Sequence, residues 1–131
     1  MIPLCEAEGI AVIPWSPLAR GFLAGSRSSL DDRAATTRAA TDDFGHTLYG
    51  GPGDWEIVEA VRAVAAEREV TPAEVALAWL LSKPAVVAPI VGATKLPHLE
   101  TAIRALDLKL TQEEIGRLEA PYLPHEVRGH Q

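Results

Sequence analysis

The sequence predicts an α/β fold with a parallel sheet. Two apolar runs of strand length, residues 10–15 (Ile-Ala-Val-Ile-Pro-Trp) and 86–91 (Val-Val-Ala-Pro-Ile-Val), are separated by two segments of helical periodicity and followed by two more. A strand buried on both faces carries a continuous apolar run instead of an alternating one, which is the habit of parallel sheets. Size is the third observation. With 131 residues, 47% of them hydrophobic and 23% charged, the chain has enough apolar material for one domain with a packed core, and disorder over most of its length is excluded.

Each element follows from local signals. A first short helix ends near Cys5, and the first apolar run leaves Gly9 and stops at the turn-forming pair Ser16-Pro17; the second stops at Gly92. Pro14 and Pro89 stand late in their runs, where a strand is ending and a missing N–H does least harm. Asp54 is placed to cap a helix whose apolar positions Ile57, Val58, Val61, Val64 and Ala65 recur at helical spacing up to about Glu69. Thr71-Pro72-Ala73-Glu74 has the pattern of a capping box with proline at the first helical position, opening a helix that stops at Lys83-Pro84. Leu96–Leu106 and Thr111–Leu118 are two further helices, the second opened by another capping box, Thr111-Gln112-Glu113-Glu114. Residues 121–131 hold two prolines and a glycine and read as an irregular strap.

Residues 24–53 have no steady period and are rich in Gly, Ser, Thr and Asp. A connection of that length without structure of its own is uncommon in a domain, and it reads as a lid or substrate loop. Two parallel strands cannot cover both faces of a sheet or satisfy both edges. The rest of a sheet, or a partner chain, is therefore expected.

Composition removes several function classes. The net charge of −6, from 12 Lys and Arg against 18 Asp and Glu, argues against a nucleic-acid binder, which needs a basic patch. No apolar stretch approaches the roughly 20 residues of a membrane span. The N-terminal residues carry no secretory signal pattern, so a cytoplasmic location is expected. One cysteine, Cys5, excludes an internal disulfide and reads as a buried small apolar residue. His46, His125 and His130 lack ligand spacing, and no metal site is expected.

Three sequence words carry a resemblance. Gly9-Ile-Ala-Val-Ile-Pro-Trp-Ser-Pro-Leu-Ala-Arg-Gly-Phe-Leu, then Thr71-Pro72-Ala73-Glu74-Val75-Ala76-Leu77-Ala78-Trp79-Leu80-Leu81, then Pro89-Ile90-Val91-Gly92-Ala93-Thr94-Lys95-Leu96-Pro97-His98-Leu99, in this order, resemble the aldo-keto reductase family across essentially the whole chain. The resemblance implies the C-terminal part of a (β/α)8 barrel over residues 1–131, comprising strands seven and eight with their flanking helices. Such a barrel takes about 250 residues. It also implies binding of NADP(H) and reduction of aldehydes or ketones to alcohols. The family's catalytic Asp, Tyr, Lys and His come from earlier strands, so no catalytic residue is assigned in this chain.

What the resemblance does imply is a set of cofactor contacts: Trp15, Ser16, Pro17, Leu18, Arg20 and Gly21 after the first strand, and Ile90, Gly92, Ala93, Thr94, Lys95 and His98 after the second. The residue types suit that chemistry. Trp15 offers a flat apolar face for a nicotinamide ring; its alternative is a core or rim aromatic. Ser16 to Gly21 form a turn of small residues that lets backbone N–H groups approach a diphosphate, with Arg20 adding a charge-assisted contact; the alternative is a plain polar turn. Gly92 to Lys95 precede a helix whose N-terminus favours an anion, and Lys95 suits a 2′-phosphate; the alternative is a solvated capping lysine. Thr101 and Ala102 depart from the acidic residue and Asn common in the family, and His98 from its Gln or Arg.

The reading is thus an NADP-dependent reductase to which this chain contributes cofactor-binding loops, and the isolated 131-residue chain is expected to be inactive. A rival from another class is a non-catalytic remnant or an accessory nucleotide-binding module.

Overall fold

The computed structural model describes residues 1–27, 29, 32, 42, 45 and 48–124. His46, His125 and His130, and most of the expected lid loop, lie outside the described residues.

Helix α1 (Ile2–Ala7) has Pro3 in its first turn, where a missing N–H costs nothing. Cys5 on it is half-buried, less enclosed than its reading as a buried apolar residue. The Ile10 N–H returns to the Cys5 carbonyl at 2.7 Å, and Gly9 at φ 64° makes the reversal that starts the first apolar run.

The two apolar runs lie side by side and parallel, but among the described residues they form only two isolated bridges, Val12 with Val86 and Trp15 with Ile90, where two full strands are expected. The Val12 N–H donates to the Ala85 carbonyl at 2.9 Å, the Val87 N–H to the Val12 carbonyl at 3.0 Å and the Ile90 N–H to the Pro14 carbonyl at 2.9 Å. Between the bridges three steps on one run match four on the other, so the second run carries an extra residue before Ile90. Pro14 and Pro89 lack the N–H groups a continuous ladder needs. Ile10, Ile13, Val87 and Ile90 remain exposed, as the uncovered sheet predicts.

After the first run a 3-10 segment (Ala19–Ala24) carries the chain outward, interrupted by non-helical backbone at Arg20 and Gly21. Gly25 then turns at φ 76°, and a Cβ there would meet Pro72 Cγ at 2.7 Å, so only glycine fits. Helix α2 (Asp54–Glu67) starts one residue earlier than the sequence suggests. Its N-cap is Gly53 at φ 85°, and Asp54 is the first helical residue. The Asp54 carboxylate accepts N–H bonds from Gly50 and Gly51 at 2.8 and 2.7 Å, fastening the preceding turn to the helix it was expected to cap.

Both capping boxes form as the sequence predicts. In helix α3 (Pro72–Leu81) the Thr71 hydroxyl accepts the Glu74 N–H while Glu74 accepts the Thr71 N–H at 2.7 Å. Helix α5 (Gln112–Glu119) repeats this with Thr111 and Glu114. Between them, helix α4 (Leu96–Arg104) has no buried residue, and its apolar positions Leu96, Leu99 and Ile103 are exposed.

The core sits between α2, α3 and α5, where Val61, Val64, Ala65, Val75 and Leu118 pack together with Ile57, Trp79 and Leu110 against them. Val64 and Val75 are completely enclosed. Among the described residues no helix is long and apolar enough to cross a membrane, and no group of His, Cys, Asp and Glu is arranged to hold a metal ion.

Candidate functional site

The Trp15–Ile90 bridge sets the geometry, because the chain leaves both runs from the same end. The Ser16–Gly21 turn and the Gly92–His98 segment consequently issue from neighbouring points of one sheet edge.

Trp15 is 62% exposed. Beside it is a largely apolar cavity of about 470 Å³, lined by Pro14 and Trp15 from the first run, Pro17 from the turn, Val61 from α2, Trp79 from α3 and Tyr122 from the tail. Glu119 closes one side of that cavity. Its carboxylate accepts the Trp79 indole N–H at 2.9 Å and pairs with Lys83, whose ammonium also lies 4.7 Å from the Trp79 ring centre. The Lys83 ammonium and the Trp79 N–H together hold the Glu119 carboxyl below its usual range. Neither Arg20 nor Lys95 lines the cavity.

The turn itself is a compact, unusual stretch of backbone. Ser16, Ala19 and Arg20 have φ of 52°, 48° and 55°, and Gly21 has φ of 92°. Three side-chain-bearing residues in the left-handed region cost free energy, and such conformations persist where neighbours enforce them. Here the Arg20 N–H donates to the Ser16 hydroxyl at 3.3 Å and the Gly21 N–H to the Leu18 carbonyl at 2.9 Å. Burial raises the Tyr49 phenol above its ordinary value, against opposing effects of Ser16 and Arg20.

Arg20 differs from the expected open diphosphate contact. Its Nη2 donates to Asp42 Oδ1 at 2.9 Å and its Nε to Asp42 Oδ2, a two-pronged pair between the turn and the following loop. That hydrogen-bonded pairing raises the guanidinium pKa. Gly45 N–H donates to the same Oδ1 at 2.9 Å. An aromatic group completes the region: Phe22 stacks on Tyr49 with ring centres 6.0 Å apart and meets Trp55 edge-on at 6.4 Å. Of the apolar residues between 24 and 53, Leu48 and Tyr49 are half-buried, while Leu30 and Phe44 lie outside the described residues.

Arg27 was not among the sequence candidates. Its side chain is buried with the guanidinium 5.0 Å from the Phe22 ring centre, and Arg62 donates to its carbonyl. The signal was an arginine two residues after Gly25, inside a stretch whose composition resembles a solvated loop.

On the other side, Gly92, Ala93, Thr94, Lys95 and His98 are all exposed. Lys95 is the N-cap of α4, makes no side-chain cap bond, and no acidic residue occupies the first turn. The His98 N–H returns to the Lys95 carbonyl at 3.1 Å. Lys95 thus places a cation in solvent at the start of α4, while Pro97 has no N–H to offer and that of His98 is already bonded.

Two parallel-paired runs whose loops leave from the same end, packed with helices, fit an α/β fold. The comparisons identify which. Residues 1–122 match the aldo/keto reductase family, and the chain belongs to it. It is 41% identical over 129 residues to a Schizosaccharomyces pombe protein named "putative aryl-alcohol dehydrogenase". It is 38% identical over 130 residues to the versiconal hemiacetal acetate reductase of Aspergillus parasiticus, and 37% identical over 131 residues to an aldo-keto reductase of Alternaria alternata. These alignments take in 98%, 97% and 99% of this chain but 35%, 36% and 34% of the relatives. The chain spans about a third of the length of the curated relatives it matches. Family membership implies the (β/α)8 barrel fold.

Proposed function

We propose that residues 1–131 form the C-terminal part of an NADP-dependent aldo-keto reductase, strands seven and eight with their helices, and that they hold the cofactor for reduction of a carbonyl compound. The single observation that carries the reading is the parallel Trp15–Ile90 bridge, which makes neighbours of the two segments whose chemistry suits a dinucleotide. Support comes from the exposure of Trp15, the uncapped and acid-free start of α4 beside Lys95, and the names of the relatives, which are reductases or dehydrogenases.

In this reading Trp15 covers one face of the nicotinamide and fixes which face meets the substrate. Ser16, Pro17, Leu18 and Gly21 bring backbone close to the diphosphate, and Arg20 supplies charge there. Ile90 flanks Trp15, Gly92 to Thr94 admit the ligand to the α4 N-terminus, Lys95 neutralises the 2′-phosphate and His98 borders the adenosine end. The bound dinucleotide supplies a hydride. The proton for the carbonyl oxygen, in this reading, comes from residues outside the chain.

The name of one relative, aryl-alcohol dehydrogenase, points to aryl carbonyl compounds as the substrate class. An NADPH-oxidation assay with an aromatic aldehyde tests the assignment. A complete barrel carrying this segment turns over, while the purified 131-residue chain does not, because positioned acid–base groups typically supply about 10² to 10⁴ in rate. Turnover by the chain alone overturns the division of labour, and a complete barrel inert with every carbonyl compound overturns the activity.

A further inference from the structure

We propose that Asp42 is a built-in competitor for the anion that Arg20 receives, so that the free protein carries its own carboxylate where a diphosphate must bind. The inference rests on the reading of Arg20 as a diphosphate contact.

Geometry makes the competition direct. A guanidinium presents its donors in a fixed fork, and a carboxylate or a phosphate takes the same paired edge. Asp42 occupies the edge formed by Nε and Nη2, with Oδ1 2.9 Å from Nη2. A phosphate can take that edge only by displacing the carboxylate.

The competitor is well seated. The Asp42 side chain is 8% exposed and Arg20 24%, so water screens this pair less than an ordinary surface one. Gly45 N–H holds Oδ1 at 2.9 Å, which positions the carboxylate from its own loop as well as through Arg20. At the other end, Arg20 has φ of 55°, in a turn with two more strained residues. A side chain tied down at its tip restrains that backbone, so Asp42 also keeps the turn in shape before any ligand arrives.

Two consequences follow. An anion binds with apparent affinity reduced by the fraction of molecules in the paired state. Its arrival displaces Asp42 from Arg20, so occupancy at Arg20 is communicated to Asp42 and to Gly45, which holds the same carboxylate.

Titration of the purified chain with inorganic diphosphate, then with NADPH, tests this in four forms: the wild type, Asp42→Asn, Arg20→Gln and the double variant. Removing the carboxylate's charge should tighten binding about three- to tenfold, Arg20→Gln should weaken it, and Asp42→Asn should give no gain once Arg20 is replaced. Unchanged or weaker binding in Asp42→Asn, with Arg20→Gln still weakened, overturns the competitor and leaves Arg20 as an anion contact. No effect of Arg20→Gln overturns both. Should Asp42→Asn fail to fold, the wild type suffices: the carboxyl carbon resonance of Asp42 moves on diphosphate addition, and a resonance that stays fixed while diphosphate binds contradicts the proposal.

Discussion

Trp15 pairs with Ile90 across a parallel bridge, although a loop and two helices separate them along the chain. The Ile90 N–H reaches the Pro14 carbonyl at 2.9 Å in this pairing. Everything proposed for the site depends on this juxtaposition, since neither the Ser16–Gly21 turn nor the Gly92–Lys95 segment holds a dinucleotide alone.

Lys95→Ala should separate the two nicotinamide cofactors. The lysine stands at the N-cap of α4 with no side-chain cap bond to lose, so its removal leaves the helix intact. In a complete barrel carrying this segment, KM for NADPH should rise about tenfold, the loss of a charge-assisted contact, while KM for NADH changes little. Equal loss for both would show that Lys95 does not face the 2′-phosphate.

Glu74 makes the fold sensitive to acid. Burial pushes its carboxyl up, but the Thr71 hydroxyl and N–H and the Arg104 guanidinium outweigh burial and hold it below its ordinary 4.5. Arg104 Nε sits 2.6 Å from Oε1, so one carboxylate closes the capping box of α3 and ties down α4. A carboxyl lowered in the folded state contributes stability above its unfolded pKa, and the contribution fades as pH falls through the folded value. Urea unfolding should show the wild type losing stability below pH 4.5. Glu74→Gln should be weaker by about 1–2 kcal/mol at pH 7, with less loss on acidification.

Glu69 is a site for gain. It follows the C-cap of α2 at φ 54°, in the left-handed region that favours glycine. Its neighbour Val70 returns an N–H to the Ala65 carbonyl at 3.0 Å, so the conformation is needed to close the helix. Glu69→Gly should stabilise the chain by about 0.5–1 kcal/mol, read as a higher Tm. A lower Tm would show that the glutamate side chain contributes more than its backbone strain costs.

Much of the fold was legible because its signals are local. Thr71 with Glu74, and Thr111 with Glu114, declare their helices through three-residue spacings that no distant contact overrides. Asp54 was misread by one position, since its carboxylate serves Gly50 and Gly51 behind it and Gly53 takes the cap. The expected strands shrank to two bridges because prolines interrupt the N–H pattern and the register slips between them. Long-range partners were the harder part. Nothing near Arg20 in sequence announces Asp42, and Arg27 looks like a loop residue until its guanidinium is found over Phe22.

Steady-state kinetics of Arg20→Ala in a complete barrel carrying this segment tests the central assignment most directly. The guanidinium is placed at the diphosphate, away from the reacting carbon, so it contributes binding equally before and at the transition state. The account predicts KM for NADPH raised about tenfold with kcat within about twofold of the parent. An unchanged KM, or a fall in kcat with KM held, would contradict the claim that this segment holds the cofactor.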